Sequence, residues 1–289
     1  MKTDALYRLT LLDGHARAFL IDSTGMVESA RKIHNLSRTA TAALGRHLTA
    51  AAMLAAMLKE DGSVTATVKG GGPLGTLMAV AKPDGSVKGY VDDPSVDLPR
   101  VNGKLAVGDA VGHSGRLTII RDMGFGEPYV GQVNLISGEL AEDYAMYFTA
   151  SEQVPSLVAL GVLIKDSVLS AGGLIVQLMP GATEEAIARL EAGAEAFRNI
   201  SATMEGIDLD EAVTRLFGDL EPKVIGRLDT RYECDCSRER VERALISMGE
   251  AELTQLIREQ GHAEVGCQFC GQTRQFTKEQ LEELLEKAR

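Results

Sequence analysis

Tryptophan is missing from this chain, and aromatic side chains of all kinds make up only 4% of it. Glycine, with 30 residues, and alanine fill the space instead, a balance that suits a mixed α/β domain with many tight turns. Positive charge is also short: 30 Lys and Arg face 41 Asp and Glu, a formal net charge of -11. Such a chain repels phosphate backbones, and no run of Lys and Arg is long enough to make a local basic patch. The electrostatic footprint of a nucleic-acid binder is therefore missing, and no nucleic-acid partner is expected. Long apolar runs are absent too. The most apolar stretch, Leu48 to Leu58, is 11 residues long between His47 and Lys59, too short to span a bilayer. The N-terminal MKTDALYRLTLLDGHARAF has neither the apolar core nor the small-residue cleavage pattern of a signal peptide. These absences set the expectation of a cytoplasmic protein with no membrane partner. In that compartment thiols stay reduced, so clustered cysteines mean metal or redox chemistry rather than structural disulfides.

What is present is enough for a core. The 289 residues, 45% apolar and 25% charged, match an ordinary folded protein of one large or two smaller domains. Strand-like runs at 5–12 and 15–22 flank Asp13-Gly14, a strong hairpin signal. Ser37 is placed to cap an Ala-rich helix running to Leu58. Strands are expected at 63–69, 75–82, 86–91, 104–111, 116–121 and 129–136, a helix from Ser137 through Glu152, then strands at 157–164 and 168–179. Hairpins with segregated helices read as α+β rather than as alternating βαβ.

The texture changes after Pro180. Residues 183–199 read as a charged helix with Ile187, Leu190, Ala194 and Phe197 on one apolar stripe, followed by a second helix at 209–217. The expected organisation is an α+β core at 1–180, a helical linker at 181–232 and a small module at 233–289. In that module Ser237 caps a helix carrying Val241, Leu245 and Met248, and Leu253, Leu256 and Ile257 mark the next, closed by Gly261. Thr277 and Gln280 form a capping box before a last helix with Leu281, Leu284 and Leu285 on one side.

The chain has four cysteines, all in this module: Cys234-Asp235-Cys236, a gap of 30 residues, then Cys267-Gln268-Phe269-Cys270. Four thiolates in two close pairs are the donor set of a closed tetrahedral Zn²⁺ site. A module of fewer than 60 residues is marginal without such a staple. One reading is a permanent zinc ribbon, but ribbons use C-x-x-C twice and the first pair here is C-x-C. The module is also acidic, with 8 Lys and Arg against 11 Asp and Glu. The other reading is a switch. Metal-bound sulfur is held as thiolate, the form that oxidants convert to sulfenic acid and then disulfide. Loop entropy favours joining neighbours, Cys234 with Cys236 and Cys267 with Cys270, over closing the 30-residue gap. A thiol–disulfide oxidoreductase using Cys267 and Cys270 remains the alternative.

These residues resemble the redox-regulated heat-shock holdases, the thirty-three-kilodalton chaperonins. The likeness rests on CDCSRER (234–240) and CQFCG (267–271), and continues through VKGYVDDP (87–94), SGELAEDYAMYFTASEQVPS (137–156) and GGLIVQLMPGA (172–182). The resemblance implies a chaperone with no catalytic turnover, inactive when reduced and zinc-bound, and commonly a homodimer when active. Oxidation would form disulfides between neighbouring cysteines, release zinc and unfold switch and linker, exposing apolar surface that holds unfolding client proteins without ATP. Arg274 departs from the family, which often carries an aromatic there.

Other signals are weaker. Gly70-Gly71-Gly72-Pro73-Leu74-Gly75 matches G-x-G-x-x-G, but a strand-like TLMAVAK follows where a phosphate cradle needs a helix. Gly112-His113-Ser114-Gly115 is read as a turn, since Arg116 stands where a nucleophile elbow needs glycine. His262 lies near Cys267 but four thiolates already fill the shell. His34 and His47 are read as structural or surface residues.

Overall fold

The computed structural model describes residues 4–59 and 61–288; the outer limits expected for the first and last domains, residues 1 and 289, lie outside them. In chain order the elements begin with β1 (Ala5–Leu11), a 3-10 turn, β2 (Ala16–Asp22), α1 (Thr24–His34) and α2 (Arg38–Ala55). Then come β3 (Ser63–Lys69), β4 (Thr76–Ala81), β5 (Ser86–Val91), α3 (Val107–Val111), β6 (Arg116–Asp122) and β7 (Tyr129–Asn134). After α4 (Ala141–Ala150), β8 (Ser156–Ile164) and β9 (Val168–Leu178), the chain forms α5 (Glu184–Gly193), α6 (Ile200–Thr203) and α7 (Leu209–Phe217). It continues with β10 (Lys223–Asp229), β11 (Arg231–Tyr232), α8 (Arg238–Ile246) and α9 (Glu250–Glu259), and ends with β12 (His262–Gly266), β13 (Thr273–Thr277) and α10 (Lys278–Ala288). Two compact units result, one ending at Glu233 and the other beginning at Cys234.

The first unit holds two sheets. Five strands run in the order β10-β1-β2-β9-β8, and six in the order β11-β5-β4-β3-β6-β7. All pairings are antiparallel except β11 with β5. Helix α2 packs on β3, β4 and β5 of one sheet and on β8 and β9 of the other. It is buried on nearly every side, as a helix between two sheets is: Ala40, Leu44, Leu48, Ala51, Met53 and Ala55 are all buried. Ser37 starts it as expected, its hydroxyl accepting the Ala40 N–H at 3.1 Å. The opposite face of the five-stranded sheet forms a second core, in which Leu9, Leu11, Leu20 and Val176 meet Leu190, Phe197, Leu216 and Phe217 of the following helices.

Several expectations need correction. Helix α1 was not anticipated. Its first amides are capped by the carboxylate of Asp4, Gly25 N–H at 2.9 Å and Met26 N–H at 2.5 Å, a partner 21 and 22 positions away that no local pattern reveals. The run 104–111 is not a strand: its end forms α3, where the Gly108 N–H is taken by the Glu139 carboxylate at 3.0 Å. Helix α2 stops at Ala55 rather than Leu58. The helix expected over 183–199 breaks after Gly193 into a 3-10 turn at Ala194–Phe197, although Leu190 and Phe197 are buried as the stripe required. The span 181–232 is helical only in its first part. Residues 223–229 and 231–232 are edge strands, paired with β1 and β5.

Gly70-Gly71-Gly72 is a turn between strands, with β4 and not a helix beyond it. A Cβ on Gly70 would sit 2.3 Å from the carbonyl oxygens of Val111 and Gly112, and one on Gly72 would sit 2.4 Å from that of Ala110. Close backbone crossing explains these glycines without a nucleotide.

Candidate metal centre

The second unit is small. Leu245, Leu253, Ala263, Phe276, Leu281 and Leu284 are its buried apolar residues. Ser237 caps α8 by accepting the Arg240 N–H at 3.2 Å, and Thr277 and Gln280 exchange bonds at 3.1 and 3.5 Å to start α10. Met248, expected on the apolar face, is exposed instead. The β12–β13 hairpin was not anticipated, because its five-residue strands alternate too briefly to stand out.

That hairpin carries the second cysteine pair in its turn. Gly271 has φ +68, the left-handed region, and its N–H reaches the Cys267 carbonyl at 2.8 Å, while the Cys267 N–H reaches Gln272 at 2.9 Å. Gly266, on the other side of the pair, is the last residue of β12 and has no positive φ. The first pair lies on the extended segment ahead of α8. Arg274 of β13 ties it to the hairpin, donating from Nη2 to the Cys236 carbonyl at 3.1 Å. Asp235 pairs with Arg240 at 2.7 Å, and the Arg238 guanidinium lies 4.6 Å from the centre of the Phe276 ring.

All four sulfurs lie within 4.8 Å of one another. Cys234 and Cys267 are 3.7 Å apart and Cys236 and Cys270 3.4 Å apart, and all four are free thiols. A tetrahedral zinc with Zn–S bonds of about 2.3 Å would space its ligands about 3.8 Å apart, so the donor set fits such an ion in chemistry and in spacing. The four sulfurs also differ in their electrostatics. Burial, followed by the neighbouring thiols, pushes Cys234 up to about 12, and burial also raises Cys270. Burial opposes ionisation of Cys267 as well, but the N–H groups of Phe269 and Cys270 aim at its sulfur and hold it below an ordinary thiol. A cation among the four sulfurs would favour their thiolate form.

Among the described residues no other group of His, Cys, Asp or Glu could hold a metal. His262 is exposed and bonds through Nδ1 to Gln260 at 2.9 Å, outside the cluster. His113 and Ser114 lie exposed in the turn before β6, as that reading required. His47 is fully buried between the Ala66 carbonyl and the Tyr144 hydroxyl, and His34 meets the Tyr232 hydroxyl. The oxidoreductase alternative expects C-x-x-C at a helix N-terminus after a strand. Here the motif occupies a hairpin turn. No helix of the described residues is long and apolar enough to cross a membrane.

Fold and cluster together define a chain of one large two-sheet unit and one small unit that holds all four cysteines. A family model described as Hsp33 protein matches residues 4–277. The 33 kDa chaperonin of Bacillus cytotoxicus is 43% identical over 287 residues, covering 98% of this chain and 99% of the relative. That of Clostridioides difficile is 45% identical over 286 residues, covering 98% of each. The crystal structure of the 33 kDa chaperonin from Thermotoga maritima superposes with a TM-score of 0.89 at 36% identity, covering 99% of both chains. The chain belongs to the Hsp33 protein family, redox-regulated chaperones rather than enzymes.

Proposed function

We propose that Cys234, Cys236, Cys267 and Cys270 hold one Zn²⁺ in the reduced protein and that their oxidation is the switch of a holdase. The observation that carries this reading is four free thiols within 4.8 Å of one another in a unit with six buried apolar residues. Bound there, the ion would supply charge balance for four thiolates and a cross-link between the C-x-C segment and the hairpin.

The residues do the rest. For each pair, a thiolate attacks a peroxide oxygen, giving sulfenic acid and releasing hydroxide. The second thiol of the pair then displaces hydroxide from that sulfur, so one peroxide accepts two electrons, two thiols become one disulfide and two waters leave. The folded spacings do not choose the partners, since the contacts at 3.4 and 3.7 Å run between the pairs. Loop entropy chooses once the metal cross-link is gone, and it favours Cys234–Cys236 and Cys267–Cys270. A disulfide sulfur is a poor ligand, so ion and fold are lost together.

The apolar surface then offered to unfolding clients includes the contact of α5 to α7 with the five-stranded sheet, where Leu190, Phe197, Leu216 and Phe217 are buried in the folded chain. Exposed apolar area of this kind binds unfolded chains without ATP. The active form is a homodimer, and the site of action is the cytoplasm. The test measures zinc content, disulfide pairing and suppression of a thermally unfolding client's aggregation, before and after peroxide at raised temperature. Oxidised, zinc-free protein is expected to protect the client, and protection no better than that of the reduced form would sink the switch.

A further inference from the structure

Tyr232 stands two residues ahead of Cys234, and its hydroxyl bonds to two other elements. It donates to the Gly89 carbonyl at 2.7 Å and accepts the Gly89 N–H at 3.3 Å, both on β5. A further contact, 2.9 Å to His34 Nε2 at the end of α1, is then a bond donated by the imidazole, because the single phenol proton is already used. The two rings meet edge to face at 6.2 Å. One side chain thus ties β11 to both α1 and β5.

Besides this hydroxyl, side-chain ties from β11 to other elements come from Arg231, whose guanidinium donates to the Asp84 carbonyl at 3.0 Å and lies 3.6 Å from the Asp84 carboxylate. Strand β11 is two residues long, with Arg231 N–H on the Gly85 carbonyl at 3.0 Å and Glu233 N–H on Val87 at 2.9 Å. Before it, Thr230 N–H bonds to Asp4 at 2.9 Å, and β10 lies at the edge of the other sheet with Val224 and Ile225 exposed. Residues 223–233 therefore run from the edge of one sheet to the edge of the other. An edge segment of this kind peels from its end; from the cysteines inward, the Glu233 side chain bonds back to Arg231 of the same segment, and Tyr232 is the next side chain, bonded to α1 and β5.

We propose that Tyr232 and His34 form a latch that stops loss of fold after Cys234 from running back into β11 and β10. The latch deepens the switch reading above and rests on it for its purpose. Tyr232 and His34 are positioning residues: they set how far unfolding travels for a given stress, and hence the threshold at which α5 to α7 come free.

Amide hydrogen exchange on the full reduced chain tests the latch, with zinc first bound and then stripped by a chelator at ambient temperature. In the parent protein, stripping should expose residues 234–288 while 223–232 keep their protection. In Tyr232→Phe, which retains the ring, stripping should raise exchange over 223–232 about tenfold, with β3 and β4 unchanged. His34→Ala should act alike, and the double variant should add little to either alone. Exchange over 223–232 equal to the parent, or a rise spread through β3 and β4, overturns the latch. So does full exchange of 223–232 in the stripped parent, or a second unit that stays protected without metal. No oxidant is used, so a chaperone assay that fails after oxidation leaves this result standing on its own.

Discussion

His47 shows how a single buried base writes pH into the core. Its Nε2 faces the Ala66 carbonyl at 3.0 Å, which fixes the proton there, and its Nδ1 accepts from the Tyr144 hydroxyl at 3.0 Å. Burial lowers it from 6.5 to about 4, against the smaller opposing effect of the carbonyl. The folded state then binds fewer protons than the unfolded state between those values, so stability is full above pH 6.5 and falls as pH drops toward 4. The loss should reach about 3 kcal/mol, since one pKa unit is about 1.4 kcal/mol. Urea midpoints of the first unit measured from pH 7 to pH 4 should fall in the parent and fall less in His47→Gln, and parallel curves would remove His47 as the cause. Ser37 offers a simpler number. Its hydroxyl caps α2, and Ser37→Ala should reduce stability by about 1 kcal/mol in equilibrium unfolding.

At the scale of elements, the helices after Pro180 are held by a few large side chains. Phe217 is fully buried against the five-stranded sheet and meets Phe197 at 5.4 Å between ring centres. Phe217→Ala should weaken that docking by about 3 to 5 kcal/mol. Limited proteolysis of the reduced protein should then cut between residues 183 and 222 faster than in the parent, with the β3–β4 region still resistant. Uniform cleavage throughout would mean the whole unit had been destabilised instead. The same helices show what a sequence can reveal. Elements defined by their own residues were legible: the β1–β2 hairpin at Asp13-Gly14, α2 behind its serine cap, and β8 and β9 with their long apolar runs. Elements completed from afar were not. Helix α1 borrows its cap from Asp4, α3 borrows a carboxylate from Glu139, and β10, with a charged residue at both ends and exposed Val224 and Ile225, is a strand only because β1 lies beside it. The clustering of the cysteines was legible because a shared donor set depends on residue type and spacing. The hairpin that presents Cys267 and Cys270, and the Arg274 bond to Cys236, depend on a register that spacing alone does not give.

The whole molecule divides its stability unequally, and metal removal should make the division visible. The first unit has two extensive apolar cores, one on each face of its five-stranded sheet. The second has six buried apolar residues and no disulfide. A structural zinc site supplies on the order of 10 kcal/mol, more than the margin by which most small domains are stable. With reductant present to keep the thiols free, a chelator should therefore unfold residues 234–288 while the first unit keeps its fold. Calorimetry of the metal-bound chain should show two transitions, and the chelated chain should keep the one belonging to the first unit. Restoring zinc should bring the second transition back, since no covalent change has occurred. Were the chelated protein to keep both transitions, the six-residue core would suffice, and oxidation would have no folding energy to release.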